Sequence, residues 1–467
     1  MDTNTCMPLR LFNVREWLSG NTLVFKPASD WNFCIVSHTW GTFPAWTFVC
    51  DLSGKNMEVS AFRKTDLTTA AKCIYKVGYE WCWIDNICID QNSIEEKQRE
   101  ITSMGLYYRS AMKCLVFTGG LHNVGEIVYN NYTVPRWHNR VWTLQEAVLS
   151  KDAAYVYRVD NISNLTTPTR LNKMRERQIK ISCSWADDGK HYLIIDKDNV
   201  YDAVSSMLDI IYEKTKLPLS VNKGKVLRST LTSLKTDHWD LLNAIRESGG
   251  RDTSKDEDVV YGILGLLNIT NIEIEYGIGK HNASLKLAEA LPKSYIPMLM
   301  MCDFTYNAIP DFSVDSRRYA AWGLDVDACT ANATIFDDRM HVTTMCSRVS
   351  LERKGIGSTV RAGGANGGER PSWPLEPIEA TKNNSIVSAC FGVMLKLANN
   401  TKADYDLLLI GENNKDWAKN ALSANKAAIC VAVKSCVNGI KYKRGIVVVD
   451  MDKVIWTKET HAVHIGA

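Results

Sequence analysis

A chain of 467 residues, 45% hydrophobic and 23% charged, has an ordinary globular composition, far from the low-hydrophobicity, high-charge regime of disorder, with material for two or three domains. A net charge of +3 and the lack of any Lys/Arg run of five exclude the charge signature of nucleic-acid or anionic-membrane binding. No apolar stretch reaches the ~20 residues of a membrane span, and the first six residues lack a basic-then-apolar leader pattern, so the expected location is cytoplasmic.

Residues 33–37 form a short apolar strand whose exit reads Ser37-His38-Thr39-Trp40-Gly41. Leu67, Ala70, Ala71 and Ile74 recur at helical spacing over 66–77, and Gly78 stops that helix. Strand 81–84 follows. Residues 85–93, rich in Asp, Asn and Ser, read as a loop carrying Asp85, Asp90 and Gln91. Ser93 and Glu96 set a capping box for a helix over 94–112, with Ile101, Met104, Tyr108, Ala111 and Met112 on one face. A third strand spans 114–118, a polar loop with Gly119, Gly120 and Gly125 leads to Pro135, a helix spans 137–149 and a fourth strand 153–157. Strands alternating with helices predict a parallel sheet with right-handed crossovers, an α/β domain of flavodoxin-like layering.

Three blocks lie at strand exits or on the helix that follows, where open α/β sheets build sites: "SHTWG" at 37–41, "WIDNICIDQ" at 83–91 and "RVWTLQE" at 140–146. In this order and spacing they resemble the HET domain, found mainly in fungal heterokaryon-incompatibility proteins. The order of elements is also similar to the TIR domain, an intracellular signalling fold in which some members cleave NAD and others act as scaffolds. Plant-type TIR domains carry a Trp-Cys-x-x-Glu helix segment with a catalytic glutamate. Here Trp142-Thr143-Leu144-Gln145-Glu146 stands in the same register, with Thr143 in place of cysteine.

Cleavage of the nicotinamide N-glycosidic bond asks for one well-placed carboxylate, because the leaving group departs from a cationic nitrogen and charge builds on the ribose. Glu146 is the candidate, with pairing to Arg140 as the structural alternative. His38 is the second catalytic candidate, able to hydrogen-bond or shuttle a proton, and equally able to be a satisfied structural histidine. Ser37 suits phosphate or ribose, Trp40 offers a flat face for a base, and Gly41 permits close backbone approach. Asp85, straight off its strand, suits a ribose contact; Asp90 and Gln91 fit turn formation better. Arg136 and Arg140 suit a diphosphate, or a salt bridge to Glu146 or Asp85. Trp142 joins the cofactor-binding set through the resemblance, although its spacing from Trp137 also fits core packing. NAD enters as substrate, with no further cofactor required and no metal site expected: no Cys-x-x-Cys occurs among the fourteen cysteines, and several (Cys34, Cys82, Cys114, Cys430) sit in apolar runs as free thiols.

Downstream, helical signals run over 199–235, 241–246 and 258–266, the last similar to an Asp-x-Val-Tyr-Ala-Leu-Leu-Gly-Leu segment common after HET domains. Arg251 and Asp258 are placed to hold a helix end. The glycine cluster 363–368 and the stretch 361–374 read as loop. Short β-type runs at 340–344, 405–410, 428–433, 445–449 and 454–456 indicate a β-rich region, and His461 and His464 read as tail residues. The division expected is a HET (TIR-like) domain at 1–195, a helical region at 196–305 and a β-rich domain at 306–467. The function this implies is a cell-death or innate-immunity effector that cleaves NAD when self-association switches it on, with an incompatibility or sensor protein as possible partner. The alternative is a HET scaffold acting through contacts alone.

Overall fold

The computed structural model describes residues 7–60, 63–118, 136–159, 181–187, 190–197, 241–248, 251–292, 295–296, 328–329, 331–336, 339–353, 376–382, 385–393, 402–413, 427–435, 441–454 and 456–464. The loop read over 119–135, the helical signals over 199–235 and the loop at 361–374 with its glycines lie outside these residues. The chain divides into two compact units, residues 1–239 with 251–277, and residues 240–250 with 278–467.

The first unit is built on an eight-stranded mixed sheet. Its strands are β1 (Leu11–Asn13), β2 (Phe25–Lys26), β3 (Cys34–His38), β6 (Trp81–Trp83), β7 (Lys113–Phe117), β8 (Ala153–Val159), β9 (Ile181–Asp187) and β10 (Lys190–Asp196). A separate hairpin pairs β4 (Trp46–Val49) with β5 (Asn56–Val59). The spatial order is β2-β1-β6-β3-β7-β8-β10-β9. Strands β6, β3, β7 and β8 run parallel, and antiparallel strands extend both edges. The α/β expectation therefore holds, with a parallel centre inside a mixed sheet. Numbered along the chain, the parallel strands lie in the order 2-1-3-4, so the strand order reverses between β3 and β7. In open α/β sheets the carboxyl ends of the strands at such a reversal are where a crevice and its ligands are found.

The helices are α1 (Val14–Gly20), α2 (Lys64–Lys76), α3 (Asp85–Cys88), α4 (Ile94–Ser110) and α5 (Trp142–Leu149). Helix α2 ends as its sequence predicts: Gly78 takes φ 91°, its N–H reaches the Tyr75 carbonyl at 3.1 Å, and Tyr79 N–H reaches Ile74 at 3.2 Å. The Ser93 hydroxyl caps α4 by accepting from Glu96 N–H at 3.2 Å. The capping box is only half formed. The Glu96 carboxylate turns instead to the Asp90 N–H (2.6 Å) and to Arg10 (2.7 Å), because a buried guanidinium is the stronger partner.

Two sequence readings change. Residues 85–88 are a short helix rather than loop, since Ile87 and Cys88 are fully buried and draw the chain inward. The helix read over 137–149 is a 3-10 turn at Arg136–Asn139 followed by α5. The break falls where Arg140 pairs with Asp252 and the Thr143 hydroxyl donates to the Trp137 and Arg140 carbonyls at 2.5 and 2.9 Å. The core holds Trp17, Trp83, Trp137, Tyr107 and Tyr155 at under 2% exposure or close to it, each worth roughly 1.5–3 kcal/mol or more of burial. Cys34, Cys82 and Cys114 are buried free thiols, as their apolar positions predict.

The second unit contains α6 (Leu241–Ser248), α8 (Gly279–Ala290) and the β-rich region, while α7 (Asp258–Tyr261) belongs to the first unit. Strands β13 (Arg339–Arg353), β14 (Glu376–Lys382), β15 (Ser385–Val393), β16 (Lys402–Asn413), β17 (Ala427–Ser435) and β18 (Lys441–Asp450) pair in the closed circuit β13-β16-β17-β18-β15-β14-β13. Closure removes exposed edges. Of the strand expected at 454–456, the described residues Val454 and Trp456 are not in strand: Asp450 caps a 3-10 turn at Met451–Lys453, and the Trp456 indole donates to the Met451 carbonyl at 3.1 Å. His461 and His464 are strand residues, lying in β19 (Thr457–His464) opposite Val342 and Arg339. Among the described residues no helix is long and apolar enough to cross a membrane.

Candidate active site

The carboxyl end of β3 delivers Ser37 and His38 to the crevice between β3 and β7, and they leave the sheet on opposite faces because strand side chains alternate. On one face Ser37 meets α5. Its hydroxyl donates to Glu146 Oε2 at 2.5 Å and accepts from the Trp137 indole N–H at 2.7 Å. On the other His38 meets the start of α3, with Nε2 3.0 Å from Asp85 Oδ1 and Nδ1 3.2 Å from the Thr39 carbonyl. Trp40 returns over the same carboxylate, its indole donating to Asp85 Oδ2 at 2.7 Å, and 38% of its surface stays exposed.

Both acceptors on His38 are oxygens that need a proton on the ring, so geometry favours the imidazolium. Burial opposes that charge, but the Asp85 charge and its hydrogen bond outweigh burial and raise the His38 pKa. Asp85 is correspondingly lowered: burial works against its carboxylate, and His38, Trp40 and the Asn86 N–H more than offset it. In this arrangement His38 donates; it is not poised to accept a proton.

Glu146 is the opposite case. Burial pushes its carboxyl up to about 8, the Ser37 hydrogen bond opposes the rise, the nearby Asp85 charge adds to it, and His38 and Arg140 counter it weakly. Among the described residues no cation lies close enough to form an ion pair with it, so the pairing with Arg140 does not form. The Arg140 guanidinium instead donates to Ser254 Oγ at 2.7 Å, and its pKa falls through burial and through the nearby Arg136. Arg136 is exposed. The two guanidiniums thus share one neighbourhood, and Arg140 lies within electrostatic reach of Glu146.

Trp142 sits apart from this group. It packs half-buried against the core, and its indole is hydrogen-bonded to Asp258, whose carboxyl is raised by burial against that bond and one from Tyr276. Gly41 lies in the irregular segment beside Trp40, half-buried. Asp90 and Gln91 form the turn after α3: Asp90 accepts from the Asn92 N–H at 3.0 Å, and the Gln91 amide reaches the Asp85 and Ile89 carbonyls at 3.3 Å each. Arg251 donates to the His138 carbonyl at 2.7 Å, at the 3-10 turn before α5.

Sequence reasoning missed four residues here. Trp137 looked like core and is core, yet its N–H is committed to Ser37. Tyr108 looked like a helix-face residue, but its hydroxyl donates to the Val36 carbonyl at 2.8 Å and lies against Glu146. Thr118, the first residue past β7, is fully buried with an unpartnered hydroxyl. Its position at the strand exit was the available signal. Lys197 caps the far end of α5, its ammonium reaching the Ala147, Val148 and Ser150 carbonyls at 3.2–3.3 Å. Nothing local in the sequence announces that contact.

Comparison with known proteins gives two findings. Residues 33–130 match the family described as Heterokaryon incompatibility protein (HET), which takes in the first two blocks and stops short of the third. The vegetative incompatibility protein HET-E-1 of Podospora anserina is 23% identical over 267 residues, 56% of this chain and 16% of that protein. The chain therefore spans about a sixth of the length of this curated relative. No solved structure matches the chain.

Proposed function

We propose that this chain is a heterokaryon-incompatibility or cell-death effector whose HET region hydrolyses NAD to nicotinamide and ADP-ribose, with Glu146 as the catalytic carboxylate and self-association as the switch. The observation that carries the reading is the Glu146 carboxyl, buried and, among the described residues, without a cation of its own, at the carboxyl end of the parallel sheet where its strand order reverses. A structural carboxylate at such depth is normally paired, because an unpaired one costs several kcal/mol. Perturbed, unpaired acids cluster at functional sites. The similarity of residues 142–146 to the Trp-Cys-x-x-Glu segment of TIR domains supports the same choice.

In the reaction the C1′–N bond breaks, its electron pair passes to the pyridine nitrogen, and neutral nicotinamide departs. Glu146 faces the ribose and stabilises the developing oxocarbenium ion. Water adds to C1′ and releases one proton, so NAD⁺ and water give nicotinamide, ADP-ribose and H⁺. The cationic nicotinamide ring, placed beside Glu146, favours its ionised form, so binding itself supplies the active charge state. His38, with both ring nitrogens committed to Asp85 and the Thr39 carbonyl, contributes its positive charge beside the ribose and diphosphate rather than a hydrogen bond. Trp40 stacks on a base, and Arg136 and Arg140 hold the diphosphate.

The test is NAD consumption and nicotinamide release by wild-type protein and Glu146→Ala over a concentration series. The reading expects Glu146-dependent turnover that steepens with concentration; folded protein without turnover at every concentration sinks it. A second reading is favoured by the closed bonding of Trp137, Ser37 and Glu146, which also suits a rigid scaffold. It expects Glu146→Ala to keep cell toxicity.

A further inference from the structure

We infer that Trp137 and Ser37 are positioning residues for Glu146, forming a one-way chain of hydrogen bonds from indole N–H to hydroxyl to carboxylate that fixes Oε2 and with it the orientation of the carboxyl. This rests on the reading of Glu146 as the carboxylate that faces the ribose. An indole N–H can only donate, so at 2.7 Å the Ser37 oxygen must accept from Trp137. Serine has a single proton, and when Glu146 is ionised its Oε2, 2.5 Å away, can only accept it. The direction of the whole chain is then set by its two ends, an indole that can only donate and a carboxylate that can only accept. The expectation that Ser37 binds phosphate or ribose gives way here, because its proton is committed and Trp137 takes one of its lone pairs.

The chain is held at three points. Trp137 is fully buried and makes edge contacts with Tyr155 on β8 (5.7 Å between ring centres) and with its neighbour His138 (5.1 Å). Ser37 is 0% exposed within β3. Glu146 is fixed through α5, whose Ser150 hydroxyl donates to the Glu146 carbonyl at 2.7 Å. The charged and titratable groups around Glu146 are His38 of β3, Asp85 of α3, Tyr108 of α4, Cys114 of β7 and Arg140 before α5. Of these Tyr108 is the other hydroxyl, 2.8 Å from the Val36 carbonyl and also within hydrogen-bonding reach of Glu146. The Ser37 bond is the largest influence that stabilises the ionised form of Glu146 against burial.

The experiment follows the Glu146 side-chain carboxyl by ¹³C NMR across pH, assigned with Glu146→Gln, alongside the ¹⁵N–¹H signal of the Trp137 indole. In wild-type protein the indole signal is expected to shift with the same midpoint as the carboxyl; an indole signal that stays fixed while Glu146 titrates overturns the inference without any variant. In Ser37→Ala the Glu146 midpoint is expected to rise, in Trp137→Phe to rise by less, and in Ser37→Thr to return near wild type. A Glu146 midpoint unchanged in Ser37→Ala also overturns it. Kinetics separate the two layers: Ser37→Ala is expected to lower kcat about tenfold or more at neutral pH, with KM for NAD within about threefold, and Ser37→Thr to restore it. If the NMR shifts appear but no protein cleaves NAD, the relay stands and the NAD reading falls; if NAD is cleaved and the midpoints do not move, the relay falls and the NAD reading stands.

Discussion

The Gly265 N–H donates to Gln145 Oε1 at 3.1 Å, which ties a segment far downstream to the residue next to Glu146. The tie is one of several. Arg109 of α4 donates to the Gly265 carbonyl and to Asn268 Oδ1, both at 3.0 Å, and Gln98 brackets Ile272 and Ile274. Gly105 and Gly265 let the two backbones touch: a Cβ on Gly105 would stand 2.5 Å from Gly265 Cα, and one on Gly265 would stand 2.5 Å from Gln145 Oε1. The segment 251–277 is therefore part of the scaffold that places α5.

A substitution test follows from that contact. Gly105→Ala raises helix propensity by about 1 kcal/mol in a free helix, but the added methyl meets backbone that cannot rotate away, an overpacking cost of about 1–3 kcal/mol or more. The clash wins, so thermal unfolding should show a lower Tm for Gly105→Ala and for Gly265→Ala. A Tm at or above wild type for Gly105→Ala would mean the two backbones are not held in contact.

For the His38–Asp85 pair the expected outcome depends on pH. Asp85→Asn leaves burial as the main influence on His38, so its pKa should fall below that of wild type when followed by NMR. The raised His38 pKa gives stability that is complete below the unfolded value near 6.5 and is lost as pH rises through the folded value. The lowered Asp85 pKa gives stability present above about 3.8 and lost as pH falls through the folded value. The pair thus contributes between those limits. Asp85→Asn should cost about 3 kcal/mol near pH 6 and much less near pH 3, and equal losses at both would contradict the pairing.

Much of the first unit was legible because its signals are local. Apolar runs marked β3, β6, β7 and β8, Gly78 and Ser93 marked helix ends, and strand exits marked Ser37, His38, Asp85 and, through the resemblance, Glu146. What escaped depends on contacts between distant residues. The 3-10 break before α5 is imposed by Asp252, the α5 cap comes from Lys197, and Trp142 is drawn to Asp258. The flanking antiparallel strands β1, β2, β9 and β10 carry no chemistry-bearing motif, and β2 is two residues long, below what periodicity can register.

Arg140 and Arg136 make a prediction about binding rather than chemistry. Arg140→Gln removes one charge-assisted donor to a diphosphate, a contact worth about 1.5–3 kcal/mol, so KM for NAD should rise roughly ten- to a hundredfold with kcat within about threefold. Arg136, exposed, should matter less, and its effect should shrink as salt rises. A fall in kcat with KM unchanged would move Arg140 from the diphosphate to the reacting ribose.

Glu146 carries the most direct pH signature. Its folded pKa of about 8 lies above the unfolded value of 4.5, so the native state holds a proton that the unfolded chain releases, and stability from this group is complete below about pH 4.5 and declines as pH rises to about 8. Glu146→Gln keeps an oxygen for the Ser37 hydroxyl and removes the titration. Its Tm should match wild type near pH 5 and exceed it near pH 8.5. Activity should run the other way. The wild-type kcat/KM for NAD should rise as Glu146 ionises in the free protein near pH 8, while kcat, which reports the complex with the cationic nicotinamide ring against Glu146, should rise at lower pH. A Glu146→Gln protein no more stable than wild type at pH 8.5 would show that the carboxyl is already ionised at neutral pH and lies in a wetter site than this geometry gives it.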